Sequence, residues 1–273
     1  MAERVALVTG ATSGIGKATA LRLAAQGFYV FAAGRNLDAV DDIKVTNVEA
    51  LHLDVTSDES IEKALETVMA HSGRIDVLVN NAGYGAYGVV EEMSLEDAQK
   101  QFDVNVFGAV RLIKAVLPSM RRQRSGVIVN VSSVAGKLSV PVMGWYSASK
   151  HALEALSDAL RVEVKPFGVK VVVVEPGYIK TSFQETALEQ SEDVKQLDVY
   201  KGLRSEFMNF QRENESEGAE PYAVAAVIEK AVTADRPQAR YLAPFSANLL
   251  TLGKRLLGDW PFDVFLARSL KWR

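Results

Sequence analysis

The stretch RVALVTGATSGIG, residues 4–16, runs from an apolar strand pattern through a glycine-rich turn into the start of a helical pattern. Its opening run of Val, Ala and Leu reads as a strand buried on both faces, as in a parallel sheet. Glycines at 10, 14 and 16 let the backbone turn tightly and approach a pyrophosphate whose charge rests on the helix N-terminus. TGATSGIG (9–16) is therefore read as a dinucleotide-binding turn, with Gly10, Thr12, Ser13, Gly14, Ile15 and Gly16 as its contact residues. The rival is a nucleoside-triphosphate loop, since Lys17 follows Gly16. That reading fails because the Gly10–Gly16 spacing is one residue too long and Ala18 stands where a magnesium-binding Ser or Thr belongs.

Outward from the turn, the same alternation continues. RVALVTG (4–10), FYVFAAG (28–34), VEALHLD (48–54), IDVLVNNAG (75–83), GVIVNVSS (126–133) and VKVVVVEPG (169–177) read as buried strands. Helical patterns fall between them at 14–27, near 37–43, and at 58–72, 95–123 and 145–167. Strand–helix alternation predicts a doubly wound parallel sheet, a three-layer α/β/α Rossmann fold with right-handed crossovers. No repeat, low-complexity tract or linker divides the chain, so residues 1–273 are expected to form one domain.

Two regions break the rhythm. Residues 183–220 form a polar insert, with ten acidic against four basic residues from Glu185 to Glu220. Tyr200, Leu203, Phe207 and Phe210 recur there at helical spacing, so the insert is read as a substrate lid with one short amphipathic helix. A helix at about 220–235 and a short strand near RYLA follow. The tail, 245–273, is amphipathic and aromatic. It reads as an extension packed on its own domain, with a surface helix touching lipid or a partner as the alternative.

Composition narrows the function classes. Hydrophobic content of 48% and charged content of 24% are those of a globular protein rather than a disordered one. A net charge of −3 gives no nucleic-acid footprint and no polybasic membrane patch. The absence of cysteine excludes disulfides, thiol catalysis and Cys-based metal sites, and fits a reducing compartment. The N-terminus enters a strand directly, without a signal-peptide pattern, and no apolar run reaches the ~20 residues of a membrane span. A cytoplasmic protein is expected. His52, His71 and His151 are scattered, so neither a metal site nor a Ser-His-Asp hydrolase is read.

The second strand's end points to the kind of dinucleotide. An acid there would bind the ribose 2′-hydroxyl of NAD, whereas an Arg accommodates the 2′-phosphate of NADP. The strand ends AAGRN, which puts Arg35 at that position, so NADP(H) is expected. Asp54, in HLDVT, either accepts from the adenine amino group or caps the next helix.

YSASK (146–150) puts Tyr146 and Lys150 on one face of a helix, one turn apart. Reduction of a ketone builds negative charge on the carbonyl oxygen, which a proton donor and a hydrogen-bond donor must meet. Tyr146 can be that acid, or the base in reverse, if the Lys150 cation lowers its pKa toward neutrality. Ser133 ends a strand, where open α/β sheets bind ligands, and can hold the same oxygen.

TGATSGIG, NNAG (80–83), Asn105 in FDVNVFG, Ser133 in VNVSSVAG, YSASK and PGYIKT (176–181) come in the order seen in the short-chain dehydrogenase/reductase family, which the chain resembles from about residue 4 to 182. The resemblance implies NADP(H)-dependent interconversion of a carbonyl and an alcohol. It implies that Lys150 also reaches the nicotinamide ribose and that Asn105 is a fourth catalytic residue, holding a water that links the lysine to solvent. It further implies cofactor contacts at Asp54 and Val55, at Asn81, Ala82 and Gly83, and at Pro176, Gly177, Ile179 and Thr181. Ser132 is left a structural role. A homodimer or homotetramer is a family-level expectation, through helices 95–123 and 145–167.

GYGAYG (83–88), LSVPVMGW (138–145), Tyr178 and Phe183 flank the site with apolar and aromatic residues. Only Lys137 and Lys180 among them could bind an anion. An apolar, fairly bulky carbonyl or alcohol substrate is expected, loosely similar to the steroids, retinoids and lipids of some family members. The alternative function is a non-catalytic NADP(H) sensor or scaffold on the same fold; such proteins usually lose the tyrosine or lysine retained here. A sugar-nucleotide epimerase conflicts with the glycine spacing.

Overall fold

The computed structural model describes residues 3–36, 45–192, 194–244 and 247–272, and the short helix expected near 37–43 lies outside them. Seven strands, β1 (Arg4–Thr9), β2 (Phe28–Gly34), β3 (Val48–His52), β4 (Val77–Asn80), β5 (Gly126–Val131), β6 (Val169–Pro176) and β7 (Arg240–Ala243), form one sheet in the order β3-β2-β1-β4-β5-β6-β7. Every neighbouring pair runs parallel. The order reverses between β1 and β4, which opens a crevice beyond the strands' C-terminal ends.

Side chains alternate across the sheet, and each face carries its own core. Ala6 and Val8 of β1 face one layer with Val30, Val79 and Val172, against the helices Gly14–Ala25 and Pro221–Thr233. Val5 and Leu7 face the other with Phe31, Leu78 and Ile128, against the helices Asp58–Ser72 and Ala109–Gln123. Strands sandwiched between helix layers need apolar residues on both faces, which is why they read as unbroken runs. Local chemistry fixes the helix ends. Ser57 accepts from the Ser60 amide at 3.2 Å, and Gly73 closes the same helix at φ +66°.

Residues 95–123 are not one regular helix. The helix Leu95–Phe102 passes through a π-helical turn, Asp103–Gly108, before continuing as Ala109–Gln123. Gly108 packs so tightly that a Cβ there would lie 2.7 Å from Val55 Cγ2. That approach accompanies the bulge, and such bulges gather at functional sites.

The described residues of the insert include two α-helices, Phe183–Glu189 and Lys201–Ser216, the second longer than the sequence pattern suggested. Leu203 and Phe207 bury themselves with Tyr87, Val142, Ala187 and Leu270 in a separate cluster above the sheet's crevice side. Glu92 pairs with Arg204 and accepts from the Leu197 amide at 2.7 Å, pinning the insert to the loop after β4. The tail adds the helices Ala247–Leu257 and Asp259–Ser269. Among the described residues, no helix is long and apolar enough to cross a membrane.

Candidate active site

The glycine turn follows β1, with Gly10 and Gly14 at φ +62° and +51°. A Cβ on Gly16 would stand 2.1 Å from the Gly10 carbonyl oxygen, so no larger residue fits. The helix that begins here has no side-chain cap from Ser13 and no acid in its first turn. Its partly positive end, with Thr12, Ser13 and Ile15 around it, therefore suits an anion such as a pyrophosphate.

NNAG braces this turn from β4. Asn81 Nδ2 donates to the Thr9 carbonyl at 3.0 Å and the Gly10 carbonyl at 3.2 Å. The buried Thr9 hydroxyl accepts from the amides of Asn81 (3.0 Å) and Ala82 (2.9 Å). Thr9 was not among the expected site residues; its signal was a polar residue closing an otherwise apolar strand. From the far side, Thr181 approaches Gly14, whose Cβ would lie 3.1 Å from Thr181 Cγ2. Pro176 ends β6, the Gly177 amide donates to the Ala243 carbonyl at 2.8 Å, and Ile179 bridges to Ala219.

Arg35 leaves β2 into solvent. Asp54 accepts from the Thr56 amide at 2.9 Å and from the Thr56 hydroxyl at 2.7 Å, while Ser57 caps the next helix. The capping role considered for Asp54 thus belongs to Ser57. Burial pushes the Asp54 carboxyl up, but the Thr56 hydrogen bonds and the Arg35 charge outweigh it and hold its pKa low.

Tyr146 and Lys150 stand one turn apart on the helix Gly144–Val164, and Tyr146 is only 6% exposed. Lys150 Nζ donates to the Val131 carbonyl at 3.0 Å and lies 5.8 Å from the Tyr146 ring centre. The Ser133 hydroxyl accepts from the Ala135 amide at 3.1 Å and is close enough to the Tyr146 phenol to pull its pKa down. Phe183, the first residue of the insert's helix, covers the tyrosine with ring centres 5.4 Å apart. The same ring presses on Gly85, where a Cβ would be 2.9 Å from it.

Asn105 sits in the π-helical turn beside this pair. Its Nδ2 donates to the Tyr84 carbonyl (2.9 Å) and to Ser149 Oγ (3.1 Å), and its Oδ1 accepts from the Tyr84 amide (3.0 Å). Ser149 in turn donates to the Tyr146 carbonyl at 2.7 Å. The amide group is thus engaged in holding the loop after β4 to the helix of Tyr146 and Lys150. A Cβ on Gly83 would be 2.9 Å from Asn105 Oδ1 and 3.5 Å from Lys150 Nζ, so Gly83 closes the gap among these residues.

The electrostatics differ from expectation. Burial pushes Tyr146 up to about 12, with the Ser133 hydrogen bond pulling the other way. Burial also lowers Lys150 to about 8, opposed by the Glu154 charge. The expected lowering of the phenol by the Lys150 cation is not what the chain's own groups produce: both side chains are buried, and loss of water governs each.

Other expectations also shift. Lys137 turns away from the crevice to Glu154 (2.7 Å) and Glu175 (3.6 Å), and Lys180 pairs with Glu220 at 3.6 Å. Tyr84 and Trp145 pack with Ala86, Met93 and Ala98 rather than with the insert, whereas Tyr87, Val140 and Met143 join its cluster. Tyr178 lies beside Phe210, with ring centres 6.5 Å apart. His71 stacks on Tyr29 at 4.0 Å and His151 bonds the Ser147 carbonyl at 2.9 Å, both outside the reacting group. Among the described residues, no His, Cys, Asp and Glu group could hold a metal.

Residues 4–192 match the short chain dehydrogenase family. A 3-ketodihydrosphingosine reductase of Bacteroides thetaiotaomicron is 38% identical over 95% of both chains. An NADPH-dependent 3-dehydrocapnine reductase of Ornithobacterium rhinotracheale is 34% identical over 98% of both. Among solved structures, a short-chain dehydrogenase from Streptomyces avermitilis superposes with a TM-score of 0.82 at 35% identity, over 98% of this chain and 96% of that one. The chain belongs to the short-chain dehydrogenase/reductase family of oxidoreductases.

Proposed function

We propose that the protein is an NADP(H)-dependent oxidoreductase that interconverts an apolar, fairly bulky ketone or aldehyde with its alcohol, using Tyr146 as general acid and base. The observation that carries this reading is the buried phenol of Tyr146, with Ser133 and Lys150 beside it and Phe183 covering it.

The dinucleotide's pyrophosphate would rest on the helix end at Gly10–Gly16, and its 2′-phosphate on Arg35. Asp54 and Val55 would border the adenine. Asn81, Ala82 and Gly83 on one side, and Pro176, Gly177, Ile179 and Thr181 on the other, would border the nicotinamide, with Lys150 near its ribose. When bound, the nicotinamide supplies hydride to the carbonyl carbon, or accepts it in reverse.

The chain's own work is at the oxygen. Ser133 acts on the Tyr146 phenol, so we place one substrate oxygen against both hydroxyls. At pH 7 a phenol pushed up to about 12 holds its proton and can donate it, while Lys150, at about 8, is cationic and stabilises the tyrosinate left behind. Phe183 keeps bulk water from the phenol. Asn105 positions the catalytic helix through Ser149. The apolar cluster of Tyr87, Val142, Leu203 and Phe207 supports an apolar substrate. The relatives named 3-ketodihydrosphingosine reductase and NADPH-dependent 3-dehydrocapnine reductase support reduction, and the second supports NADPH. We take residues 1–273 as one domain with 183–220 as its lid, acting as a cytoplasmic homodimer or homotetramer.

The test follows NADPH absorbance against steroid, aromatic and long-chain ketones, with NADH as control. Wild type should turn over with NADPH preferred. Tyr146→Phe should lose about 10²–10⁴-fold in kcat while still binding NADPH. Arg35→Ala should weaken NADPH binding by about tenfold or more and leave NADH unchanged. Activity confined to small charged keto acids or acyl thioesters would overturn the substrate class, and full activity in Tyr146→Phe would overturn the mechanism.

A further inference from the structure

The tail carries charge of the opposite sign to the rest of the chain. From residue 247 to 273 there are five basic residues against two acidic ones, so a net charge of −3 divides into +3 on the tail and −6 elsewhere. Lys254 is paired with Asp259 at 2.6 Å and Lys271 with Glu206 at 2.9 Å. Beyond these two pairs the tail's sequence carries Arg255, Arg268 and Arg273 against Asp263.

The tail is held at one side only. Phe262 and Leu270 are buried, and Leu270 plugs the cluster that also holds Leu203 and Phe207 of the insert. Its other side leaves large apolar side chains in water: Leu256 is 75% and Trp260 76% exposed, with Leu252, Leu257 and Phe265 also exposed. An open groove of about 360 Å³ runs beside the last helix, between Leu266 and Leu270 on one wall and Val140, Pro141 and Leu203 on the other. Trp272 stands at its edge, half in solvent. An apolar ridge with tryptophans beside it, on a segment whose sequence is rich in arginine, has the chemistry of a surface that lies in a headgroup layer with its apolar side chains at the acyl boundary.

We propose that this tail docks the protein onto an anionic lipid leaflet, with Leu252, Leu256, Leu257, Trp260 and Phe265 inserted at the interface. Charge complementarity favours an anionic leaflet over a two-fold pair of copies, in which tail would face like-charged tail.

Full-length protein is sedimented with vesicles of phosphatidylcholine alone and of phosphatidylcholine with phosphatidylglycerol, at low and high salt. Binding is expected to the anionic vesicles, to weaken with salt, and to shift tryptophan emission to the blue. Trp260→Glu and Leu256→Glu alter exposed positions and should each weaken binding about tenfold with an unchanged circular dichroism spectrum. Arg268→Gln should weaken it about fivefold. Equal binding to neutral vesicles, or none to either kind, would overturn the proposal. So would a wild-type oligomer that dissociates in Trp260→Glu, since a second copy would then cover this face.

Discussion

Burial moves Tyr146 and Lys150 in opposite directions for one reason: a site shielded from water disfavours whichever form of a group carries charge. The consequence is a pH dependence with a definite sign. Below about 8, Lys150 is an ammonium and Tyr146 a neutral phenol, the state that donates a proton to an incoming oxygen. Ketone reduction should therefore be level from about pH 6 to 7 and fall as the pH passes about 8, where Lys150 loses the charge that stabilises a tyrosinate. Alcohol oxidation needs the phenol deprotonated first and should rise across the range in which reduction falls. Initial rates in both directions from pH 6 to 10 check this, and reduction unchanged to pH 10 would remove Lys150 from the mechanism. Glu154, one turn further along the helix, opposes the burial of Lys150. It is met by Lys137 at 2.7 Å and Arg240 at 3.0 Å, and by Glu175, which burial and the Glu154 charge raise to about 7. Glu154→Gln removes the charge that favours the ammonium, so the alkaline fall in reduction should move to lower pH.

The helix that carries Tyr146 and Lys150 is located by a buried polar chain as well as by packing. Asn80 Nδ2 of β4 donates to Asn130 Oδ1 of β5 at 2.9 Å, and Asn130 Nδ2 donates to Ser157 Oγ at 2.8 Å. Ser157 donates back to the Leu153 carbonyl at 2.6 Å. Asn130→Ala leaves the Asn80 amide and an acceptor on Ser157 without these partners, which should cost about 1–3 kcal/mol in denaturant unfolding. Turnover should fall further than stability does, because the helix loses its register on the sheet. The hydrogen bonds of this chain were not legible in the sequence: Asn80 stands first in NNAG at the end of an apolar run, and Asn130 is a single polar residue interrupting another. The runs themselves were legible, since a parallel strand covered on both faces has no choice but Val, Ile and Leu. The glycine turn was legible for a similar reason, as at Gly16, where only a hydrogen fits. The π-helical turn around Asn105 was not, because it goes with the approach of Gly108 to Val55, a contact that no local periodicity records. Phe183 was recognisable as an aromatic beside the site, but its seat over Tyr146 depends on Gly85, nearly a hundred residues earlier in the chain.

At the scale of the molecule, one edge of the sheet is guarded by charge. On β7, Arg240 lies against Glu154, Glu175 and Asp158, with Asp158 at 2.6 Å, so charged groups gather along that edge and discourage pairing with another strand. Association is better served by the helix layer, where Phe107 on the π-helical turn and Leu156 and Val162 on the catalytic helix are exposed. Isolated apolar side chains on a surface need no explanation, but these belong to the two helical segments that hold Asn105, Tyr146 and Lys150. Burying them between copies would stiffen the segments that must hold the reacting group still, and a stable interface needs only ~800 Å² from each partner. The wild-type protein should therefore elute with a light-scattering mass that is a multiple of 29.8 kDa. Leu156→Glu together with Val162→Glu should return it to the single-chain mass with its circular dichroism spectrum intact. Turnover should then drop while vesicle binding by the tail persists, because the two surfaces lie on different elements. A wild-type mass equal to one chain would leave these side chains simply solvated and remove the homo-oligomer from the account. An oligomer untouched by the paired substitution would move the interface elsewhere on the molecule.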